Sequence, residues 1–319
     1  MAGLISIAWA SSNLYNQFMS QRPFRFHTHL LVGLLAWHVV AMSLLVAAET
    51  NINPIQPEQV SFPNGELTLH GFIYKPTGTG PFPAVIYNHG SNKFPGNCGP
   101  LGQFWTSNGF VFFFPHRSGH GRSPGEWIVD AQQKLRTELK DRATAQQHDI
   151  ELHERANLDV VAALAWLKQQ SFVDTNKIVV AGISYGGIQT VLAAEKDLGV
   201  KAYVPFAPAA MSWQKNPLLR ERLLRAVKNA KAPMFLLQAT NDYDLGPSEL
   251  LGSELKRKGL PNRAKLYPPF GDPDKHQDGH GGFAVRGSDI WGADVLAFVN
   301  ESLKSPNQLS NPKTKTKEP

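Results

Sequence analysis

The feature that most restricts the fold of this chain is a short apolar segment that ends in a serine between glycines. Residues 178–181 read Ile-Val-Val-Ala, and Gly182-Ile-Ser184-Tyr-Gly186 follows them directly. A β-branched apolar run of this length predicts a strand that is buried on both faces of a sheet. The pattern G-x-S-x-G between a strand and a helix is typical of a nucleophile elbow, in which the serine lies at the tip of a strained turn. We therefore predict that Ser184 is a nucleophile at the end of a central strand.

Strands and helices are predicted to alternate on both sides of this segment. An Asn64-Gly65 turn between two alternating runs, 59–62 and 67–75, indicates a β-hairpin. The apolar runs and helical stretches after it indicate a mainly parallel sheet with helices on both faces. The fold class is therefore predicted as α/β with an N-terminal antiparallel hairpin. The further strands are predicted at 84–88, 110–114, 202–206, 234–238 and 264–267, and the helices at 100–107, 128–170, 247–258 and 288–303.

The N-terminal part of the chain has the composition of a targeting segment. Two arginines precede an apolar run that ends in the small residues 46–48. This order is typical of a secretory signal with cleavage after Ala48. The run is also nearly long enough to span a bilayer, so residues 1–48 are predicted to be either a signal peptide or a retained membrane anchor. Both alternatives predict an exported protein, periplasmic or secreted, and the sequence leaves open whether translation begins at Met1 or Met19.

The remaining sequence is predicted to contain one folded domain, over residues 49–304. Residues 212–231, which include Trp213 and an arginine-rich amphipathic helix, are predicted to form a small cap over the site. Residues 305–319 lack apolar anchors and are predicted to be a disordered tail. The 32 basic and 26 acidic side chains are dispersed along the chain, which argues against a nucleic-acid partner. Nothing in the sequence specifies the oligomeric state.

A serine hydroxyl needs two partners before it is a useful nucleophile near neutral pH. A histidine must accept its proton, and a carboxylate must orient that histidine. On a parallel sheet these partners follow later strands, in the order serine, acid, histidine. Residues 234–238 lead into Asp242 and Asp244; we predict Asp242 as the acid, with Asp244 as the alternative. The loop after the last strand contains His280, the predicted base, and His276, its alternative.

An acyl-transfer enzyme must also stabilise the oxyanion that forms on the attacked carbonyl group. The usual donors are the N–H of the residue after the nucleophile and an N–H of the loop after an early strand. These positions correspond to Tyr185 and to the segment His89-Gly-Ser91-Asn92. We predict Ser91 as the second donor and His89 as a structural hydrogen-bonding residue.

Neither a metal nor another cofactor is predicted. The loop 271–283 contains two histidines and three aspartates, but outside a helix their spacing does not place them on one face. The glycine-rich loop 115–125 lacks the Lys-Ser/Thr ending of a phosphate-binding loop, which argues against a nucleotide. Cys98 is the single cysteine, so neither an intramolecular disulfide nor a thiolate zinc site can form. We interpret Cys98 as structural.

Five motifs spread along the chain, including the elbow and the loops of its two partners, point to a known protein family. They are Tyr87-Asn-His-Gly-Ser91, the Arg-x-x-x-Gly-x-Ser run within 109–125, the block Asp159–Gly187, the Asp242 loop and His280-Gly-Gly-Phe283. With these motifs, residues 59–303 resemble the α/β-hydrolases of the dienelactone hydrolase and prolyl oligopeptidase-related group. The resemblance implies an α/β-hydrolase fold and the triad Ser184, Asp242 and His280.

Two departures from that group affect the functional prediction. Dienelactone hydrolases proper have a cysteine nucleophile, whereas the elbow of this chain contains a serine. The oligopeptidases contain a large propeller, for which this chain has no room. We therefore predict a serine hydrolase that cleaves small carboxylic esters or lactones through an acyl-enzyme. The alternatives are an aminopeptidase or small-peptide hydrolase and, in another class, a catalytically inactive binding protein with the same fold.

Overall fold

The computed structural model of the protein describes residues 54–259 and 261–304. The predicted signal peptide or anchor at 1–48 and the predicted tail at 305–319 lie outside the described residues, so both stay predictions. Among the described helices, none combines the length and the apolar character that are needed to cross a bilayer.

The centre of the fold is a mixed sheet of eight strands in the order β1-β2-β4-β3-β5-β6-β7-β8. The β1–β2 and β2–β4 pairs are antiparallel, and all other neighbouring strands are parallel. The predicted N-terminal hairpin and mainly parallel sheet are confirmed. The strands are β1 Glu58–Asn64, β2 Leu67–Tyr74, β3 Phe82–Asn88, β4 Val111–His116, β5 Val173–Ile183, β6 Ala202–Phe206, β7 Phe235–Ala239 and β8 Arg263–Tyr267.

Helices cover both faces of this sheet, because successive strand residues point to opposite sides. In β5, Ile178 and Val180 pack with α3, α4, α5 and α6 on one face, whereas Val179 and Ala181 pack with α1, α7 and α8 on the other. The helices are α1 Gly99–Ser107, α2 Ile128–Glu138, α3 Arg142–Leu167, α4 Tyr185–Ala194, α5 Pro217–Asn229, α6 Gly246–Lys258, α7 Phe283–Arg286 and α8 Ser288–Lys304.

The helical region predicted over 128–170 comprises two helices, α2 and α3. The backbone is extended at Leu139 and Asp141, which separate α2 from α3. Asp141 caps α3, since its carboxylate accepts a hydrogen bond from the N–H of Thr144 at 2.7 Å. Residues of both helices line the pocket of the candidate site described below.

Candidate active site

Ser184 lies at the junction of β5 and α4 in a backbone conformation that is rare for a side chain-bearing residue. Its φ and ψ angles are 58° and −114°. Its N–H donates a hydrogen bond to the carbonyl oxygen of Phe206 at 3.0 Å, which anchors the turn to β6. A Cβ atom at Gly182 would lie only 2.6 Å from the carbonyl oxygen of Gly186. The glycine before Ser184 is therefore needed for the close approach of strand and helix.

His280 and Asp242 are brought together from two different loops. Asp242 follows β7, and His280 lies in a π-helical turn, Asp278–Gly282, after β8. Both residues are buried, and the Nδ1 atom of His280 lies 2.8 Å from the Oδ1 atom of Asp242. Both ring nitrogens of His280 are buried and neither makes a hydrogen bond in the described part of the chain, so the approach of Nδ1 to Asp242 is a close contact between a ring nitrogen and a carboxylate. Because β5, β7 and β8 run parallel, Ser184, Asp242 and His280 all follow strands at the same edge of the sheet.

The Asp242 carboxylate is held by two further donors. The N–H of Tyr243 donates to its Oδ1 atom at 2.6 Å. The Nε2 atom of Gln238 donates to its Oδ2 atom at 3.1 Å. The ring of Tyr243 also packs edge-on against His280, with 5.4 Å between the ring centroids. The carboxylate is thus oriented by groups on both oxygens, which suits it to orient a histidine.

The two alternative residues occupy different positions. Asp244 accepts a hydrogen bond from the N–H of Gly246 at 2.8 Å, at the beginning of α6. His276 is exposed, and its Nδ1 atom lies 3.2 Å from the carbonyl oxygen of Asn241. The contacts of Asp244 therefore belong to a helix start, and those of His276 to a surface loop.

The two predicted oxyanion donors lie on segments that adjoin Ser184. Tyr185 is the first residue of α4, so its N–H has no acceptor within the helix. The loop after β3 approaches from the other side, since a Cβ atom on Gly90 would lie 3.8 Å from the Cβ of Ser184. The carbonyl oxygen of Ser91 accepts a hydrogen bond from Trp127 Nε1 at 2.8 Å, which ties this loop to the beginning of α2.

A pocket of about 460 Å³ opens beside these residues and includes Ser91, Ser184 and Tyr185 in its lining. Helix α2 and the beginning of α3 form much of its wall, which the sequence analysis did not predict. Of the predicted cap at 212–231, Ser212, Lys215 and Asn216 line the pocket. The signal for this wall is the long stretch between β4 and β5, which exceeds what one crossover helix needs and leaves α2 available to line the site. The aliphatic and methionine side chains of the lining are Ile128, Val129, Leu135, Ala145, Ile188, Ala209 and Met211.

Asp149 joins the three segments of this pocket wall. Gln132 on α2 donates to its Oδ1 atom at 2.7 Å, and Asn216 donates to its Oδ2 atom at 2.8 Å. The Nε2 atom of the buried His153, one turn along α3, lies 3.8 Å from the same carboxylate. Burial lowers the pKa of His153, whereas Asp149 acts against that shift. This part of the wall is therefore a small hydrogen-bonded cluster, and the basic side chains of Arg136, Arg142 and Lys215 also line the cavity.

Cys98 lies at the N-cap of α1 and has the left-handed φ angle of 57°. Burial raises the pKa of its thiol to about 12, so the thiolate needed for nucleophilic attack is scarce near neutral pH. Within the described residues, no three or more histidine, cysteine, aspartate or glutamate side chains are grouped in a way that could hold a metal ion.

Comparison with known proteins confirms the resemblance and the fold. The model of the dienelactone hydrolase family matches residues 69–276. The polyketide transferase grgF of Penicillium sp. is 26% identical over 207 residues, which span 61% of this chain and 63% of that protein. This chain therefore spans less than two thirds of that relative.

Solved structures of α/β-hydrolases are similar in fold. The acylaminoacyl peptidase of Pyrococcus horikoshii superposes with a TM-score of 0.59 at 19% identity, over 84% of this chain and 44% of the peptidase. The esterase Pf2001 of Pyrococcus furiosus superposes with a TM-score of 0.56 at 16% identity, over 78% of this chain and 92% of the esterase. A dienelactone hydrolase from Anabaena variabilis superposes with a TM-score of 0.52 at 18% identity, over 76% of this chain and 99% of the hydrolase.

Proposed function

We propose that this chain, which belongs to the dienelactone hydrolase family, is a serine hydrolase that cleaves carboxylic esters or lactones. The observation that carries the proposal is that a strained, partly exposed Ser184 and a buried His280–Asp242 pair all follow strands at the same edge of the sheet. The pocket beside Ser184 has room for a small substrate, and its apolar side chains can pack against the acyl or alcohol group.

In the proposed mechanism, the Nε2 atom of His280 accepts the proton of the Ser184 hydroxyl as its oxygen attacks the ester carbonyl. The Asp242 carboxylate stabilises the imidazolium that forms. The N–H groups of Ser91 and Tyr185 bind the developing oxyanion. His280 then donates its proton to the departing alcohol, which leaves an acyl group on Ser184. Water, activated by the same histidine, releases the acid and regenerates the serine.

The nucleophile is tested by comparing Ser184→Ala with Cys98→Ala on short acyl p-nitrophenyl esters. We expect Ser184→Ala to lose turnover and Cys98→Ala to retain it, because the high pKa of the Cys98 thiol leaves almost no thiolate. A fluorophosphonate probe should label the wild-type protein and not Ser184→Ala. Ester turnover that persists in Ser184→Ala would exclude the proposal, and a folded protein that the probe does not label would favour the inactive binding protein.

A second candidate is transfer of the acyl group to an acceptor other than water. It is favoured by the similarity to a protein named as a polyketide transferase. The acyl-enzyme on Ser184 is common to both reactions, so the difference lies in which nucleophile reaches it. Turnover of an ester in the presence of increasing alcohol concentrations separates the two, because a transferase forms the new ester in preference to the free acid.

Small-peptide hydrolysis is the remaining alternative, and the same triad would perform it. The similarity to an acylaminoacyl peptidase is one of fold and covers less than half of that protein. A panel of chromogenic amides beside the matching esters tests this alternative directly. We expect the esters to be cleaved and the amides to be cleaved far more slowly.

A further inference from the structure

A buried arginine lies behind the loop that contains the proposed oxyanion donor Ser91. Arg117 follows β4, and its side chain is 1% exposed. Its Nη2 atom donates to the carbonyl oxygen of His89 at 2.5 Å and to that of Gly90 at 3.1 Å. Its Nε and Nη1 atoms have no hydrogen-bond partner among the described residues. The guanidinium is therefore directed at two carbonyl groups of the loop after β3.

The protonation of His89 follows from its contacts. The backbone N–H of Arg117 lies 3.2 Å from the Nε2 atom of His89 and can only donate, so Nε2 accepts and carries no proton. Burial, followed by the charge of Arg117, lowers the pKa of His89 and keeps its ring neutral. In this tautomer the proton is on Nδ1, which lies 2.7 Å from the carbonyl oxygen of Gly90 and donates to it. The Nη2 atom of Arg117 lies 3.1 Å from Nδ1 and is then a second donor to the same carbonyl oxygen, not a partner of Nδ1. The Gly90 carbonyl consequently accepts hydrogen bonds from both Arg117 and His89.

The Gly90 carbonyl and the Ser91 N–H belong to the same peptide group. Hydrogen bonds donated to the oxygen of a peptide draw electrons towards it and make its N–H a stronger donor, and this cooperativity is larger where water is excluded. The Ser91 N–H takes part in no hydrogen bond of the described residues and is free to bind a ligand. The guanidinium carbon of Arg117 also lies 4.5 Å from the ring centroid of Tyr185, the residue with the other proposed donor.

We propose that Arg117 is a positioning residue of the reaction, which acts with His89 to polarise the Gly90–Ser91 peptide and so strengthens the Ser91 N–H as an oxyanion donor. The inference rests on the proposed function, because it requires a tetrahedral oxyanion on Ser184. Because Arg117 is buried behind the loop, it acts through the Gly90–Ser91 peptide group and not by contact with the substrate.

The test compares Arg117→Met and Arg117→Lys with Arg122→Met, which removes an exposed arginine five positions along the same loop. Arg122 donates to Gln59 at 2.7 Å, away from the oxyanion loop, so this variant should behave as wild type. For each protein, kcat and KM are measured on p-nitrophenyl acetate. Affinity for a trifluoromethyl ketone is measured in parallel, because its adduct with Ser184 has an oxyanion at the position where the tetrahedral intermediate of the ester has one.

We expect Arg117→Met to lower kcat and the trifluoromethyl ketone affinity in parallel by about 10- to 100-fold, less than the 10²–10³-fold typical of losing a donor outright. KM should change by less than about threefold, since the ground-state carbonyl gains little from the stronger donor. Arg117→Lys keeps the charge but not the planar guanidinium, so its losses should be parallel and smaller. Thermal unfolding of each variant shows which of them are folded.

A folded Arg117→Met protein with unchanged kcat and inhibitor affinity would overturn the inference, as would a rise in KM alone. Should Arg117→Met fail to fold, Arg117→Lys decides: parallel losses support the inference, and unchanged values overturn it. The Ser184→Ala protein is measured alongside. Activity that persists there excludes the proposed function itself, an outcome that the Arg117 variants cannot produce.

Discussion

Replacing Asp242 by asparagine gives the sharpest test of the candidate triad, because the chain offers a matched control two residues away. Asp242→Asn changes the size of the side chain very little but replaces one acceptor oxygen by an NH₂ donor. Both oxygens of Asp242 accept hydrogen bonds, one from Tyr243 and one from Gln238, and the first also faces His280. Whichever way the asparagine amide is oriented, its NH₂ group therefore faces another hydrogen-bond donor.

The two orientations have different chemical consequences. With the NH₂ group on the Gln238 side, two donors meet, and Gln238 is held in place because it also donates to the carbonyl of Asp244 and accepts from Ser248. With the NH₂ group on the other side, it meets the Tyr243 N–H and also forces His280 to accept at Nδ1. The proton of His280 then moves to Nε2, and the ring cannot act as the base.

We expect Asp242→Asn to lower kcat/KM for p-nitrophenyl acetate by about 10³- to 10⁴-fold, or roughly 4–5.5 kcal/mol of transition-state stabilisation. Asp244→Asn should stay within about threefold of wild type, because its remaining carbonyl oxygen still accepts from the Gly246 N–H. Initial rates of both variants are compared after each is shown to unfold at the wild-type temperature. An Asp242→Asn protein within tenfold of wild type, or an equal loss in Asp244→Asn, would refute the assignment of Asp242.

Three further predictions concern stability and the elbow. Burial and the charge of Arg117 lower the pKa of His120 from 6.5 to about 3, so between these pH values the unfolded chain binds a proton that the folded chain does not. On acidification below pH 6.5, this group alone should lower the free energy of unfolding by about 1.4 kcal/mol per pH unit. In thermal unfolding measured from pH 7 to pH 4, His120→Gln should therefore show a smaller change of stability with pH than the wild type. Arg222, buried on α5, pairs with Glu154 and Glu195. Arg222→Met should lower the free energy of unfolding in urea by about 1–3 kcal/mol, because both carboxylates lose their partner. Gly182→Ala should lower the free energy of unfolding by about 1–3 kcal/mol and kcat by about 10²-fold, because the added Cβ would displace the turn that contains Ser184.

Each of these predictions has an outcome that would contradict it, and the last two have a control within the chain. Equal slopes for His120→Gln and wild type would contradict the first prediction. Arg225→Met removes an exposed arginine of the same helix and should cost less than 0.5 kcal/mol, about the limit for surface positions. Gly109→Ala has open space around it but a φ of 80°, so it should lose about 1 kcal/mol without losing activity. Equal losses of activity in the two glycine variants would show that crowding at the elbow is not the cause.

The sequence predicted the strand and turn that hold Ser184, but it did not predict the walls of the pocket. The run at 178–181 and the pattern around Ser184 predicted a strand and a strained turn, and the structure contains both. The loops with Asp242 and His280 were located by counting strands. The sequence left Asp242 and Asp244 as alternatives, because two aspartates two residues apart satisfy the same positional rule; the structure places only Asp242 within 2.8 Å of His280.

The sequence by itself determined the alternation of strands and helices and the place of the elbow. Apolar periodicity and glycine sterics operate within a few residues of the chain, so they can be read locally. Only the tertiary structure decided that α2 walls the pocket and that Arg117 and His89, 28 positions apart, share the Gly90 carbonyl. These contacts join segments that follow different strands. Their geometry depends on the strand order β2-β4-β3-β5, which results from the packing of the whole sheet and not from any single stretch.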